Sequence, residues 1–201
     1  AAALAGTVTN NAGAALSGAM TVSDNSETGV TATDLSTIGG ATTGTVTVTN
    51  AVDITGTATE LTAALVTTTS KVEVTAATVT ISDANNTSIA ATVLSDIGSE
   101  TTGTVTVTNA INVTGTADEA VAALHTTGSK VEVTAATVTL SDDPTLTELK
   151  QLNAATTGAI KINTQSKTYS GSTADLAAAL AGTVTNNAGA ALSGAMTVSD
   201  N

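Results

Sequence analysis

Oxygen donors at regular places are the first chemistry this sequence offers. Ser-Asp pairs end at Asp24, Asp83, Asp142 and Asp200, and Asp143 follows Asp142 directly. Asn25, Asn85 and Asn86 add further oxygens beside them. Calcium takes six to eight oxygen ligands, usually with several carboxylates, so Asp24, Asp83, Asp142 and Asp143 are the calcium candidates. The competing use is structural. An Asp at a turn bonds its own backbone or caps the helix that follows. The expectation is therefore no resident metal or cofactor, with calcium at these aspartates the exception worth testing.

His125 is the only histidine. A catalytic imidazole needs an acid or nucleophile held beside it. The equivalent position one module earlier is Val66, which favours a surface or packing role on a short helix. Threonine rows raise ice binding: Thr45, Thr47 and Thr49, then Thr104, Thr106 and Thr108, alternate with valines. The intervening repeats put Lys71 and Glu73, then Lys130 and Glu132, at the matching outward places, which breaks a uniform face. Asn85, Asn86 and Asn112 begin N-x-[ST] triplets, a weak signal in so Thr-rich a chain. No P-loop, dinucleotide fingerprint, metal-ligand cluster or nucleophile elbow occurs, and the chain is expected not to be an enzyme. Gly39, Gly40 and Gly44 sit at turns, where positive φ is the ordinary expectation.

What must position these residues is a nested repeat. Residues 177–201 repeat residues 1–25 without a mismatch, an offset of 176. Inside that period, Gly44–Thr57 returns as Gly103–Thr116 and Ser70–Ile81 as Ser129–Leu140, both 59 residues on. The Ser-Asp pairs mark modules of 59, 59 and 58 residues. Residues 1–24 then close a preceding repeat, and 25–83, 84–142 and 143–200 are three modules of one super-repeat, a window onto a longer array. Each module splits into half-modules of about 25 to 33 residues, the size of one stacked repeat.

Each half-module carries a helix signal followed by strand signals. Thr31, Thr57, Thr116 and Ser172 each precede an acid by three residues, as in a capping box. Thr45–Thr49 and Lys71–Thr75 alternate apolar and polar residues, as half-buried strands do. In-register parallel stacking would set Val46 over Val72, then Val105, then Val131. The expected fold is mainly β: an elongated β-solenoid of stacked repeats with short helices at the coil corners. The alternative is a string of small β or α+β domains.

Composition narrows the partners. The chain has 5 Lys+Arg against 17 Asp+Glu, a net charge of −12. All five cations are lysines, so the clustered Lys and Arg of nucleic-acid binding are missing. No apolar run is long enough to span a bilayer. Tyr169 is the only aromatic residue, and there is no Cys. The core must be built of Val, Ile, Leu and Ala in thin layers.

Asp143–Ile160 (DPTLTELKQLNAATTGAI) and Tyr169–Leu180 (YSGSTADLAAAL) resemble repeat regions of very large bacterial surface and RTX-type secreted proteins, cyanobacterial ones in particular. The resemblance implies export, a cell-surface or extracellular location, and a mechanical or adhesin-like role. It brings no catalytic residues, and the glycine-rich calcium nonapeptide of RTX proteins is absent. The expected function is an extracellular structural protein of a fibre, sheath, surface layer or matrix filament, self-associating, without membrane insertion. An adhesin spacer or binding module with a glycan or surface ligand is the alternative, and ice binding a more distant one.

Overall fold

The computed structural model describes Thr9 and residues 11–126 and 128–200. Parts of the segment 1–24, Thr127 and the last residue of the 177–201 copy therefore lie outside the described residues. Contacts divide the chain into two units, Ala1–Ser82 with Asp96–Thr106, and Asp83–Ser95 with Val107–Asn201.

Strands β1 (Met20–Val22) and β2 (Gly29–Thr31), helix α1 (Ala32–Gly40), strands β3 (Val46–Val48) and β4 (Asp53–Gly56), helix α2 (Ala58–Leu61) and strands β5 (Val72–Val74) and β6 (Thr78–Ile81) belong to the first unit. Helix α2 runs on into a π-helical turn, Thr62–Val66. Strand β7 (Ser88–Ala90) lies in the second unit, while helix α3 (Ala91–Ser99) and strand β8 (Val105–Val107) have residues in both. The second unit continues with β9 (Asn112–Gly115), α4 (Ala117–Leu124), β10 (Val131–Val133), β11 (Thr137–Leu140), α5 (Leu146–Ala155), β12 (Ile160–Ile162), β13 (Tyr169–Gly171), α6 (Thr173–Ala179), β14 (Val184–Asn186) and β15 (Met196–Val198).

In the first unit, β1, β3 and β5 pair in parallel, with Met20, Val46 and Val72 in one file and Val22, Val48 and Val74 in the next. Strands β2, β4 and β6 form a second file, Val30, Ile54 and Val79. In the second unit, β7, β9, β11, β12 and β14 make a parallel sheet whose central file is Ile89, Val113, Val138, Ile160 and Val184. Alternation turns most of these apolar residues inward, and Leu35, Leu61, Leu149 and Leu152 of the helices are fully buried. Burying one such side chain contributes roughly 1.5–3 kcal/mol.

The expectation of a mainly β solenoid is overturned. Among the described residues the fold is α/β: fifteen strands in parallel sheets, and six α-helices reaching ten residues in α5. Helices pack on helices within each unit, α1 on α2 in the first, α4 on α5 and α5 on α6 in the second, so they are not corner pieces. The physical reason lies in their ends and faces. Thr57–Glu60, Thr116–Glu119 and Thr145–Glu148 close full capping boxes, and small Ala faces let helices approach closely. The alternative of small α+β domains is only partly consistent. Helices and strands are both present, but Val138 of one 59-residue module pairs with Ile160 of the next.

The expected row of Val46, Val72 and Val105 also fails at its third member. Val79 of β6, not β5, donates to Thr104 at the entry to β8 (2.9 Å), and Val138 of β11 donates likewise to Ala159 before β12 (2.9 Å). The cause is a Thr-Thr-Gly corner. Thr101 Oγ1 donates to the Ala77 carbonyl, and Thr102 N–H to that of Thr75 at 2.8 Å. Thr156 Oγ1 donates to Ala136 O (2.7 Å), and Thr157 N–H to Thr134 O (2.9 Å). Thr42 Oγ1 donates to Gly18 O (2.7 Å), and Thr43 N–H to Leu16 O (2.8 Å). Each corner seats on a small-residue turn that immediately precedes a strand. The strand after the corner then pairs with that one.

Glycine in these corners answers to space, not to φ. Neither Gly39, Gly40 nor Gly44 has positive φ. A Cβ on Gly44 would stand 2.7 Å from Gly18 O, and one on Gly158 2.2 Å from Ala136 O. The expected strand start at Lys71 is corrected as well. Lys71 precedes β5 with φ +58, and Lys130 precedes β10 with φ +57. These two lysines are turn residues, not outward strand positions.

Candidate functional site

Two of the Ser-Asp aspartates, Asp142 and Asp200, act on the half-module before their own. Asp142 Oδ1 accepts the N–H of Ala117, the first residue of α4, at 2.8 Å. Asp200 Oδ1 accepts the N–H of Thr173, the first residue of α6, at 2.9 Å, and its other oxygen accepts the Thr173 hydroxyl. Helix starts expose N–H groups that have no partner within the helix, and a carboxylate there also meets the favourable end of the macrodipole. The Thr173 hydroxyl, then its backbone N–H, hold the Asp200 carboxyl below its ordinary value. Asp143 Oδ1 accepts the N–H of Thr164 at 2.7 Å. At Asp24 and Asp83 the backbone carbonyls accept from Asn50 and Asn109 side chains, both at 2.6 Å. Among the described residues, no group of three or more His, Cys, Asp or Glu side chains is placed to share a metal ion. Asp142→Ala is expected to cost roughly 1–2 kcal/mol through the lost cap, read as a lowered urea midpoint.

A cluster of acids lies between α4 and α5. Asp118 is raised by its hydrogen bond to Glu148, then by the charges of Glu148 and Asp142 and by burial. Partial burial raises Glu148, but bonds from Thr145 and Asp118 outweigh it and leave it lowered. Tyr169 packs nearby, 4% exposed, and its hydroxyl has no hydrogen-bond partner in the protein. Burial, then the charges of Asp143 and Glu148, push the phenol up to about 12.

These shifts fix an acid limb. Glu60 is lowered by Thr57, Asp175 by Lys150, and Asp200 by Thr173. A carboxyl with a lowered folded pKa stabilises above its unfolded value and loses that contribution as pH falls through the folded one. Asp118 has the opposite sign and offsets part of the loss. Stability is expected to fall below about pH 4, with the urea midpoint dropping steadily on acidification.

His125 caps the end of α4. It lines a groove of 360 Å³ with Leu146, Thr147, Lys150, Gln151, Ala154 and Asp175. Lys150 Nζ bonds Asp175 Oδ1 at 2.7 Å with both side chains about half exposed, a pair worth little in stability. The groove offers hydrogen-bond donors and acceptors on an apolar floor, which suits a polyhydroxylated ligand.

The threonine rows divide between faces. Thr21, Thr47 and Glu73 form one exposed file. On the neighbouring sheet Asp53 Oδ1 accepts from Thr78 (3.1 Å) and Thr80 (3.2 Å). Its counterpart Asn112 donates to Ser88 and accepts from Thr139, at 3.1 and 2.8 Å. Asn86 sits exposed in a turn with φ +64, and Asn85 Oδ1 accepts from Ala110 at 3.0 Å.

Sequence reasoning missed the buried corner threonines, Thr42, Thr101 and Thr156, each 5–6% exposed. The recurring T-T-G triplet was their signal. Comparison with family models, with curated proteins and with solved structures gave no match. No helix among the described residues is long and apolar enough to cross a membrane.

Proposed function

We propose that this chain is a non-catalytic structural repeat protein of the extracellular or cell-surface kind, a component of a fibre, sheath, surface layer or matrix filament. One observation carries the reading. Strands of successive half-modules pair in parallel within each unit, so each strand offers the next a backbone row and an inward apolar residue, Val or Ile at most positions. Structures of this type add units by nearest-neighbour contacts, and stiffness follows from the hydrogen bonds between them. The net charge of −12 keeps such an array hydrated and soluble. Negative-stain electron microscopy of the purified chain tests it. Elongated assemblies that lengthen with concentration are expected; discrete monomeric particles at every concentration overturn it.

The groove beside His125 favours a second reading, an adhesin-type module that holds a surface glycan. Binding on a glycan array, lost in Lys150→Ala, is its test; a blank array ends it.

A further inference from the structure

Helices α1, α3 and α5 hold equivalent places, each running into a Thr-Thr-Gly corner. Aligned on those corners, the core position keeps its type: Leu35, Leu94 and Leu149 are all fully buried. The outer positions of α5 do not follow. Lys150 stands where α1 has Ser36 and α3 has Ser95, Gln151 where they have Thr37 and Asp96, and Ala154 where they have Gly40 and Ser99. All three line the 360 Å³ groove, and so does His125, in the place of Val66. The groove therefore has a lining that the equivalent faces of α1 and α3 lack. Helix α5 packs on both α4 and α6, so this lining runs over the middle helix of three in one unit.

Asp175 departs from its counterparts as well. Glu60 and Glu119 fold back on their capping threonines, each taking the threonine N–H at 2.8 Å. Asp175, at the equivalent place after Ser172, is one methylene shorter. Its Oδ2 accepts the Ser172 hydroxyl at 2.9 Å, and its Oδ1 accepts from Lys150 Nζ at 2.7 Å. The shorter acid thereby brings a carboxylate oxygen to the groove, paired with a cation and about half exposed.

We propose that the Lys150–Asp175 pair takes a vicinal diol of a neutral pyranose, one hydroxyl donating to Asp175 Oδ1 and the adjacent one accepting from Lys150 Nζ. The proposal rests on the glycan reading above and names its ligand class. Adjacent hydroxyl oxygens of a pyranose stand a hydrogen-bond length apart, as the pair does. Two parallel bonds then form, each with an ionised partner, the stronger kind. Leu146 and Ala154 offer aliphatic surface to the C–H face of the ring, and Gln151 an amide at its edge. Charge selects the neutral sugar. A uronate would meet the Asp175 carboxylate and a chain of net charge −12. An amino sugar would compete with Lys150 for Asp175 and leave one half of the pair unused. Without an aromatic platform the dissociation constant is on the order of 1 mM.

Nuclear magnetic resonance of the isotope-labelled full chain tests this. The probes are the methyl pyranosides of glucose, galactose and mannose, their per-O-methylated forms, and the methyl glycosides of glucuronic and galacturonic acid. A neutral methyl pyranoside is expected to shift the backbone amides of Lys150, Gln151 and Asp175, with binding weaker by about tenfold or more for its O-methylated form and for the uronates. Lys150→Ala and Asp175→Ala should each weaken the neutral sugar by about tenfold as well. Urea midpoints of both variants verify their folding, and the O-methylated probes make the same test on the native chain. Uronates that bind as tightly as the neutral sugars, or an Asp175→Ala chain that binds any sugar more tightly, overturn the diol and leave the glycan reading standing. Binding unmoved by O-methylation, or shifts away from α5, does the same. Silence from every probe here, together with a blank glycan array, ends both.

Discussion

Tyr169→Phe is expected to raise stability by about 1 kcal/mol at neutral pH and to remove a further loss above pH 10. The hydroxyl is buried and has no protein partner. Leaving such a group unsatisfied costs about 1–3 kcal/mol, and phenylalanine keeps the ring that fills the site. The alkaline arm has a definite sign. An unfolded tyrosine ionises near 10.0, whereas the folded one holds its proton to about 12. Above pH 10 the unfolded chain therefore loses its proton first and is favoured. The native chain should lose about 2–3 kcal/mol of stability between pH 10 and 12 from this group. Urea unfolding of both chains from neutral pH to pH 12 checks this. An alkaline limb of equal depth in the phenylalanine chain would show that Tyr169 is not its source.

The second large effect distinguishes two adjacent residues. Gly39→Ala is expected to destabilise by about 3 kcal/mol or more, whereas Gly40→Ala should stabilise by about 0.5–1 kcal/mol. A Cβ on Gly39 would stand 1.7 Å from the carbonyl oxygen of Ser70, a backbone atom of the next half-module that cannot step aside. Nothing lies within 4 Å of a Cβ on Gly40. Gly40 is the last residue of α1 and lacks positive φ. Alanine there only narrows the unfolded ensemble and favours the helix. Equal shifts in the two urea midpoints would contradict the close packing of Ser70 on α1.

Local patterns carried over well because they are local. Thr57–Glu60 and Thr116–Glu119 are capping boxes in sequence and in space. Val46 does stand over Val72, since V-x-V alternation dictates which side chains face inward. The weight of helix was misjudged. Segments such as Thr173–Ala179 are seven residues long, too short to be stable alone, so only packing on neighbouring helices reveals them as a layer. The step from β6 to β8 was not readable for another reason. It depends on which Ala- or Gly-containing turn receives a corner threonine, and small residues are everywhere in this chain. The aspartates were legible as turn residues, but their targets 25 and 27 residues earlier were not.

That distance gives the fold a direction in time. Ala117 begins α4, yet the carboxylate that completes its cap arrives 25 residues later with Asp142, and Thr173 waits 27 residues for Asp200. A chain emerging amino end first finishes the caps of α4 and α6 only after the following half-module has come through. The most recently emerged segment stays incompletely tied, while everything behind it locks. At these two helices, completion of the cap trails emergence by 25 and 27 residues.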